Sequence, residues 1–156
     1  MPRNDFENVL VKSLNNFYRD KKAFAYRLIQ TKYVNQHIDI LSDSKILKYY
    51  LAIECKSIKS KKLYFNSHFS GDQIDRENIF IQKTGRKGFL AVEFRMGIGK
   101  KREAYLIPWE IIFKRYTNFK KCNKRKDNGF SYEEVKKIGT NLKREKGKYR
   151  FKPSNF

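Results

Sequence analysis

Three side chains in this sequence have the types and spacing to do chemistry together: Asp39, Glu54 and Lys56. If Leu51-Ala-Ile-Glu-Cys-Lys-Ser57 is a strand, successive side chains alternate, so Leu51, Ile53 and Cys55 share one face and Glu54 and Lys56 the other. A carboxylate and an ammonium two residues apart on an otherwise apolar strand need a reason. The preceding segment offers Asp39, a solitary carboxylate between Ile38 and Ile40. A hairpin reversing at Asp43 would set Asp39 beside Glu54. Two carboxylates about 4 Å apart repel by roughly 1 to 4 kcal/mol at effective dielectric constants of about 80 to 20. A divalent cation turns that repulsion into attraction, and Mg²⁺ is commonly held by one or two carboxylates with water and phosphate oxygens. Such an ion acidifies water and stabilises charge on a phosphoryl group, while Lys56 could position the nucleophile or neutralise developing charge. The plainer reading keeps Asp39 as a surface acid near a turn and Glu54 with Lys56 as a solvated strand face.

The elements that must position these groups can be read from periodicity. Phe6, Val9, Leu10, Leu14 and Phe17 recur at helical spacing over residues 5–21, and Asn4 with Glu7 fits a capping pair. Residues 24–29, 36–41 and 49–56 are short, aromatic or β-branched segments that read as strands, with Asp43-Ser44-Lys45 as a turn. A basic loop at 59–62 leads to a helix over 71–83, which carries Ile74, Phe80 and Ile81 and ends at Thr84-Gly85. Strands at 89–95 and 103–107 follow, joined by a glycine-rich basic turn at 97–102. Pro108 suits the first turn of a helix that continues through Trp109, Ile111, Ile112 and Tyr116. Ser131 with Glu134 caps a last short helix ending near Gly139. Helix, three strands, helix, two strands, helix is a mixed α/β order.

Composition narrows the partners. The chain has 156 residues, 36 Lys+Arg and 16 Asp+Glu, for a net charge of +20. With 40% hydrophobic and 15% aromatic residues it can bury a core, which a disordered basic tail cannot. A folded domain this basic attracts polyanions. We expect one domain over residues 1–156 with a basic C-terminal extension from about 117, where Lys124, Arg125 and Lys126 form a run suited to phosphates. No apolar run approaches the roughly 20 residues of a membrane span, and Met-Pro-Arg-Asn-Asp does not open a signal peptide. Cys55 and Cys122 are far apart, as in a reduced cytoplasmic protein, and with His37 and His68 they lack zinc spacing. His37 could line a site but reads more simply as a surface histidine. Gly97-Ile-Gly-Lys100 is no nucleotide loop, since Phe94 and Lys101 stand where Gly and Ser or Thr are needed. No nucleotide cofactor is expected.

Asp39, a hairpin and then Ile53-Glu54-Cys55-Lys56 resembles the Asp…Glu-x-Lys motif of the restriction-endonuclease-like, PD-(D/E)XK, nuclease superfamily, whose core has the same order of elements. Phe69-Ser-Gly-Asp-Gln73-Ile74, Gly88-Phe-Leu-Ala-Val-Glu-Phe94, Tyr105-Leu-Ile-Pro108, Ser131-Tyr-Glu-Glu-Val-Lys-Lys-Ile-Gly139 and Tyr149-Arg-Phe151 resemble RecU-type Holliday junction resolvases. Glu7 and Arg27 are similar to residues that archaeal Hjc resolvases use near their metal and DNA. The similarity extends over roughly residues 5 to 152. It departs from the RecU type in the short span between Arg27 and Asp39, which is closer to the archaeal enzymes, and in Ile38, where a hydroxyl residue or proline is common.

The resemblance implies a mixed β-sheet flanked by helices and a structure-selective, metal-dependent endodeoxyribonuclease that resolves Holliday junctions by paired phosphodiester hydrolysis. It implies that Asp39, Glu54, the Cys55 backbone carbonyl and Glu7 hold Mg²⁺, with Mn²⁺ as a substitute, and that Lys56 assists the attacking water. Arg27 and the 124–126 run would hold DNA, and Gln73 could act from behind the metal ligands or remain a solvated helix residue. A homodimer on four-way junctions follows from the near two-fold symmetry of that substrate. Its intersubunit patch is expected in the strands after Gly88 and the helix from Pro108. The setting would be the cytoplasm, at the nucleoid or in a virus-infected host. A related nuclease cutting duplex or flap DNA, and a non-catalytic nucleic-acid-binding protein, remain alternatives.

Overall fold

The computed structural model describes residues 5–29 and 38–156. The expected cap at Asn4, the beginning of the 36–41 strand and His37 lie outside the described residues. In chain order the elements are α1 (Asp5–Phe17), β1 (Ala23–Arg27), β2 (Ile40–Ser44), β3 (Leu51–Ile58), β4 (Lys62–Tyr64), α2 (Phe65–His68), α3 (Gln73–Thr84), β5 (Lys87–Phe94) and β6 (Glu103–Pro108). Then follow α4 (Trp109–Cys122), β7 (Gly129–Ser131), α5 (Tyr132–Ile138), β8 (Thr140–Leu142), β9 (Arg144–Glu145) and β10 (Lys148–Tyr149).

Six strands form one mixed sheet in the order β1-β2-β3-β5-β6-β8. Only β3 and β5 are parallel; the other pairs are antiparallel. Both faces are covered, so the central strands are apolar almost throughout. Leu90, Val92 and Phe94 of β5 pack with Ile74 and Ile81 of α3 and Ile112 and Tyr116 of α4. Phe89 and Ala91 point the other way and meet Phe6, Leu10 and Leu14 of α1. Those three α1 residues are spaced to share one helix face, which is why a short amphipathic helix can close that side.

The local differences from the sequence reading have physical causes. Asp43 and Ser44 are not a turn. They pair with Phe24 and Ala23 inside the β1–β2 ladder, and Arg86 and Tyr26 hold the Asp43 carboxylate at 2.8 and 2.9 Å. The reversal falls later, around a 3-10 turn at Leu47–Tyr49. Helix α1 ends at Phe17 rather than Lys21, and Tyr18 turns its ring into the core. The strand after Gly88 cannot supply an intersubunit patch, because β5 lies inside the sheet and is covered on both faces. Helix α4 turns Trp109, Ile112, Tyr116 and Phe119 inward and leaves Ile111 and Phe113 half-buried on its other side. Gly88 is required where it stands: a Cβ there would lie 2.7 Å from Ile81 Cδ1 and 2.8 Å from Trp109 Cβ.

Beyond residue 117 the chain remains tied to the same sheet. β8 pairs with β6, and Tyr149 and Phe151 are buried against α1. The Glu93 carboxylate, buried on that side, accepts from Ser57 Oγ (2.7 Å) and Tyr149 OH (2.9 Å), with Arg102 at 3.5 Å. This clasp joins β3, β5 and the C-terminal segment.

Candidate active site

The β2–β3 ladder brings the first two acids together. Its last pair is Ile40 with Ile53, so one residue further Asp39 lies opposite Glu54. Asp39 Oδ2 accepts the Cys55 amide at 2.8 Å, which fixes this carboxylate at the strand end. Glu54 and Lys56 project to the α3 side of β3, with Lys56 Nζ 3.2 Å from Glu54 Oε1 and 4.7 Å from the Phe69 ring centre. Alternation along the strand accounts for the shared face. The Cys55 carbonyl leaves the strand on the same edge as its amide, toward Asp39.

Helix α3 presents its first turn to this pair. The Gln73 amide donates from Nε2 to Glu54 Oε1 and to Glu77 Oε1, both at 2.7 Å, while its Oε1 accepts the Ser70 amide at 3.1 Å. Gln73 therefore touches the candidate ligand directly rather than pointing to water. Glu77 is the residue that sequence reasoning missed. It is only 1% exposed, and its Oε2 is buried without a hydrogen-bond partner. A signal was available: Glu77 lies between Ile74 and Ile81 at helical spacing, on the face that had to be buried.

Together, Glu7, Ile38, Asp39, Glu54, Cys55, Lys56, Ser70, Gln73, Arg76 and Glu77 line an open polar cleft of about 370 Å³. Glu7 is on α1 and is held by Arg27 through a 2.7 Å ion pair, with Asn8 Oδ1 also accepting from Arg27 at 3.3 Å. The 124–126 run does not line the cleft. It is exposed, beyond the end of α4. Cys122 is exposed and Cys55 buried, both as free thiols.

The electrostatics are those of crowded acids. Burial first, then Glu77 and Asp39, push the Glu54 carboxyl well above its ordinary range, against the pull of Lys56. Burial raises Glu77 to about 7 although Gln73 donates to it and Lys56 lies nearby. Asp39 is raised by burial despite the Cys55 amide and the nearby Lys56 and Arg27, and Glu7 is raised by burial and by Asp39. Burial lowers His68, with Lys56 adding to it, while His68 Nδ1 accepts the Tyr64 amide at 2.8 Å. Burial also pushes the Cys55 thiol well up, which leaves its backbone rather than its sulfur as the useful donor.

Among the described residues no group of three or more His, Cys, Asp and Glu side chains is assembled to hold a metal ion. Glu7 shares the cleft with Asp39 and Glu54, feels the Asp39 charge and is ion-paired to Arg27. The donor chemistry nonetheless suits a hard divalent cation, which needs only one or two carboxylates when water and phosphate supply the remaining oxygens. The orphaned Glu77 oxygen and the burial that raises these acids show that ionising them costs free energy inside the protein, a cost that a bound cation would offset.

No family model matches the chain, and no curated protein matches it in sequence. Among solved structures, the chain is similar to Hjc of Archaeoglobus fulgidus, a Holliday junction resolvase from an archaeal hyperthermophile, with a TM-score of 0.53. The two are 18% identical over 83% of this chain and 91% of that one. The mixed sheet flanked by helices is thus the fold of the Hjc nuclease.

Proposed function

We propose that this chain is a metal-dependent endodeoxyribonuclease that resolves Holliday junctions by paired phosphodiester hydrolysis. The observation that carries the reading is Asp39 beside Glu54 with Lys56 at 3.2 Å, in an open polar cleft on a sheet of the Hjc fold. Asp39, Glu54 and the Cys55 carbonyl would hold Mg²⁺, with Mn²⁺ as a substitute and Glu7 completing the acidic wall. The cation would supply charge to the phosphoryl group and acidity to water. Gln73 holds the Glu54 carboxylate in place through its side-chain amide. Lys56 would orient the attacking water and offset charge on the non-bridging oxygens, because its ammonium is already held over the cleft by Glu54 and Phe69. Phe69 supports this position through the face of its ring.

A net charge of +20 suits recognition by backbone and branched shape, with Arg27 and Lys124, Arg125 and Lys126 as phosphate contacts. Two opposed cuts on a nearly two-fold substrate require two such centres, hence a homodimer. The proposed setting is the cytoplasm. Among the described residues no helix is long and apolar enough to cross a membrane. The test is cleavage of a four-way junction beside a matched linear duplex, with and without Mg²⁺. Paired, metal-dependent cuts in the junction alone support the proposal. Equal cutting of both substrates would leave a general nuclease, and binding without cutting would leave a non-catalytic DNA-binding protein.

A further inference from the structure

The β5–β6 hairpin ends in Gly97-Ile98-Gly99, and Ile98 is fully exposed. One exposed aliphatic side chain is ordinary on a protein surface. Three features set this one apart. The flanking glycines have φ of +112° and +75°, a backbone course that lifts the residue between them out of the hairpin. The tip carries Arg95, Lys100, Lys101 and Arg102, with Lys59 beside it and no acid between Glu93 and Glu103. The base is stiff: Arg95 is hydrogen-bonded through its backbone to Ile58 and through its guanidinium to Ser57 O, and Arg102 bridges the buried Glu93 and Asp5.

We infer that Gly97-Ile98-Gly99 is an apolar wedge that enters a break in base stacking, with the surrounding cations holding the adjacent phosphates. The inference rests on the reading of the cleft as a junction-cutting site, and it names the part of the chain that would sense the branch. Topology places the wedge correctly. Strands β3 and β5 are parallel, with Lys56 level with Val92, so the hairpin leaves the sheet at the end toward which Lys56 lies. Ile98 lies six positions beyond Val92, at most about 20 Å of extended chain. One duplex can therefore lie on the cleft and reach the tip. An apolar side chain framed by cations suits DNA because insertion between bases needs a hydrophobic wedge, and approach to the backbone needs positive charge. A branch point, where stacking is already interrupted, is the least costly place to insert.

The experiment uses the full chain in EDTA, so that no cleavage intervenes. The probes are a four-way junction with 2-aminopurine at the branch and a linear duplex with the same label at its centre. Wild-type binding should brighten the branch label several-fold as its neighbours unstack. Ile98→Ala should lose most of that rise and narrow the preference for junction over duplex by about tenfold. Ile98→Leu should restore both. A fully exposed side chain leaves the fold intact, which a thermal melt of each variant verifies. A Lys100→Ala, Lys101→Ala double variant should instead weaken binding to both DNAs and reduce the slope of log affinity against log salt by about 2. If Ile98→Ala keeps both the fluorescence rise and the junction preference, or if wild-type binding leaves the branch label dark, the inference is overturned. Failure of the nuclease reading would look different: no cutting in Mg²⁺, with the EDTA fluorescence rise intact.

Discussion

Replacing Glu77 with Gln tests whether the cleft is built at the expense of stability. Glu77 is buried against Glu54 and accepts from Gln73 at 2.7 Å, and its carboxyl is raised from 4.5 to about 7. A group whose affinity for protons is higher in the folded state stabilises most when protonated. The native advantage is therefore present below pH 4.5 and lost as the pH rises to about 7. At 1.36 kcal/mol per pH unit, that window amounts to a penalty on the order of 3 kcal/mol above neutrality, shared with Glu54 because the two acids titrate as a pair. Glutamine at 77 has nearly the same shape, can still accept from Gln73, and can donate to Glu54 without a charge. In EDTA at pH 8, urea unfolding should find Glu77→Gln more stable than wild type by about 2 to 3 kcal/mol, whereas at pH 4 the two should coincide. Saturating Mg²⁺ should stabilise both proteins, by about 2.7 kcal/mol at a hundredfold excess over Kd, since the variant keeps Asp39 and Glu54. A variant no more stable at pH 8, or equally stabilised at both pH values, would refute the electrostatic account.

Asp39→Asn or Glu54→Gln should reduce junction cleavage by at least about a thousandfold while gel-shift affinity holds or tightens, since a repulsive charge is removed; near-normal cutting by either would overturn the assignment. Lys56→Ala should lower kcat far more than substrate affinity, read by single-turnover kinetics. Neutralising Lys124, Arg125 and Lys126 should flatten the salt slope of DNA binding by up to about 2.7, and an unchanged slope would make that run a bystander. Sedimentation should find a dimer before DNA is added, and a dimer with one Glu54→Gln chain should nick junctions once; a monomer cutting linear duplex equally well would remove the resolvase proposal.

Much of the architecture was legible because periodicity carries it. The stripe of Phe6, Leu10 and Leu14, the helix over 73–84 with its Gly85 stop at φ +71°, and the alternation of Leu51, Ile53 and Cys55 against Glu54 and Lys56 are local patterns that survive folding. The Asp39–Glu54 neighbourhood could also be anticipated, since antiparallel pairing of adjacent strands follows from a short connection. Asp43 escaped local reading because a ladder to β1, almost twenty residues away, outweighed its turn preference.

Local pattern specifies a basic α/β chain with one acid on each of two neighbouring strands and a lysine two residues beyond the second. Which other groups meet them depends on how the helices pack. Only packing of α3 on the sheet brings Gln73 onto Glu54 and buries Glu77 behind it, and only packing of α1 against β1 brings Glu7 to Arg27 at the rim. The same holds for the intersubunit patch expected after Gly88, which the sheet absorbed into its centre. The difference is one of range: side-chain alternation and helical spacing act over a few residues. Electrostatic crowding and burial depend on which elements come to share a layer, and that is settled by contacts between residues far apart in the chain.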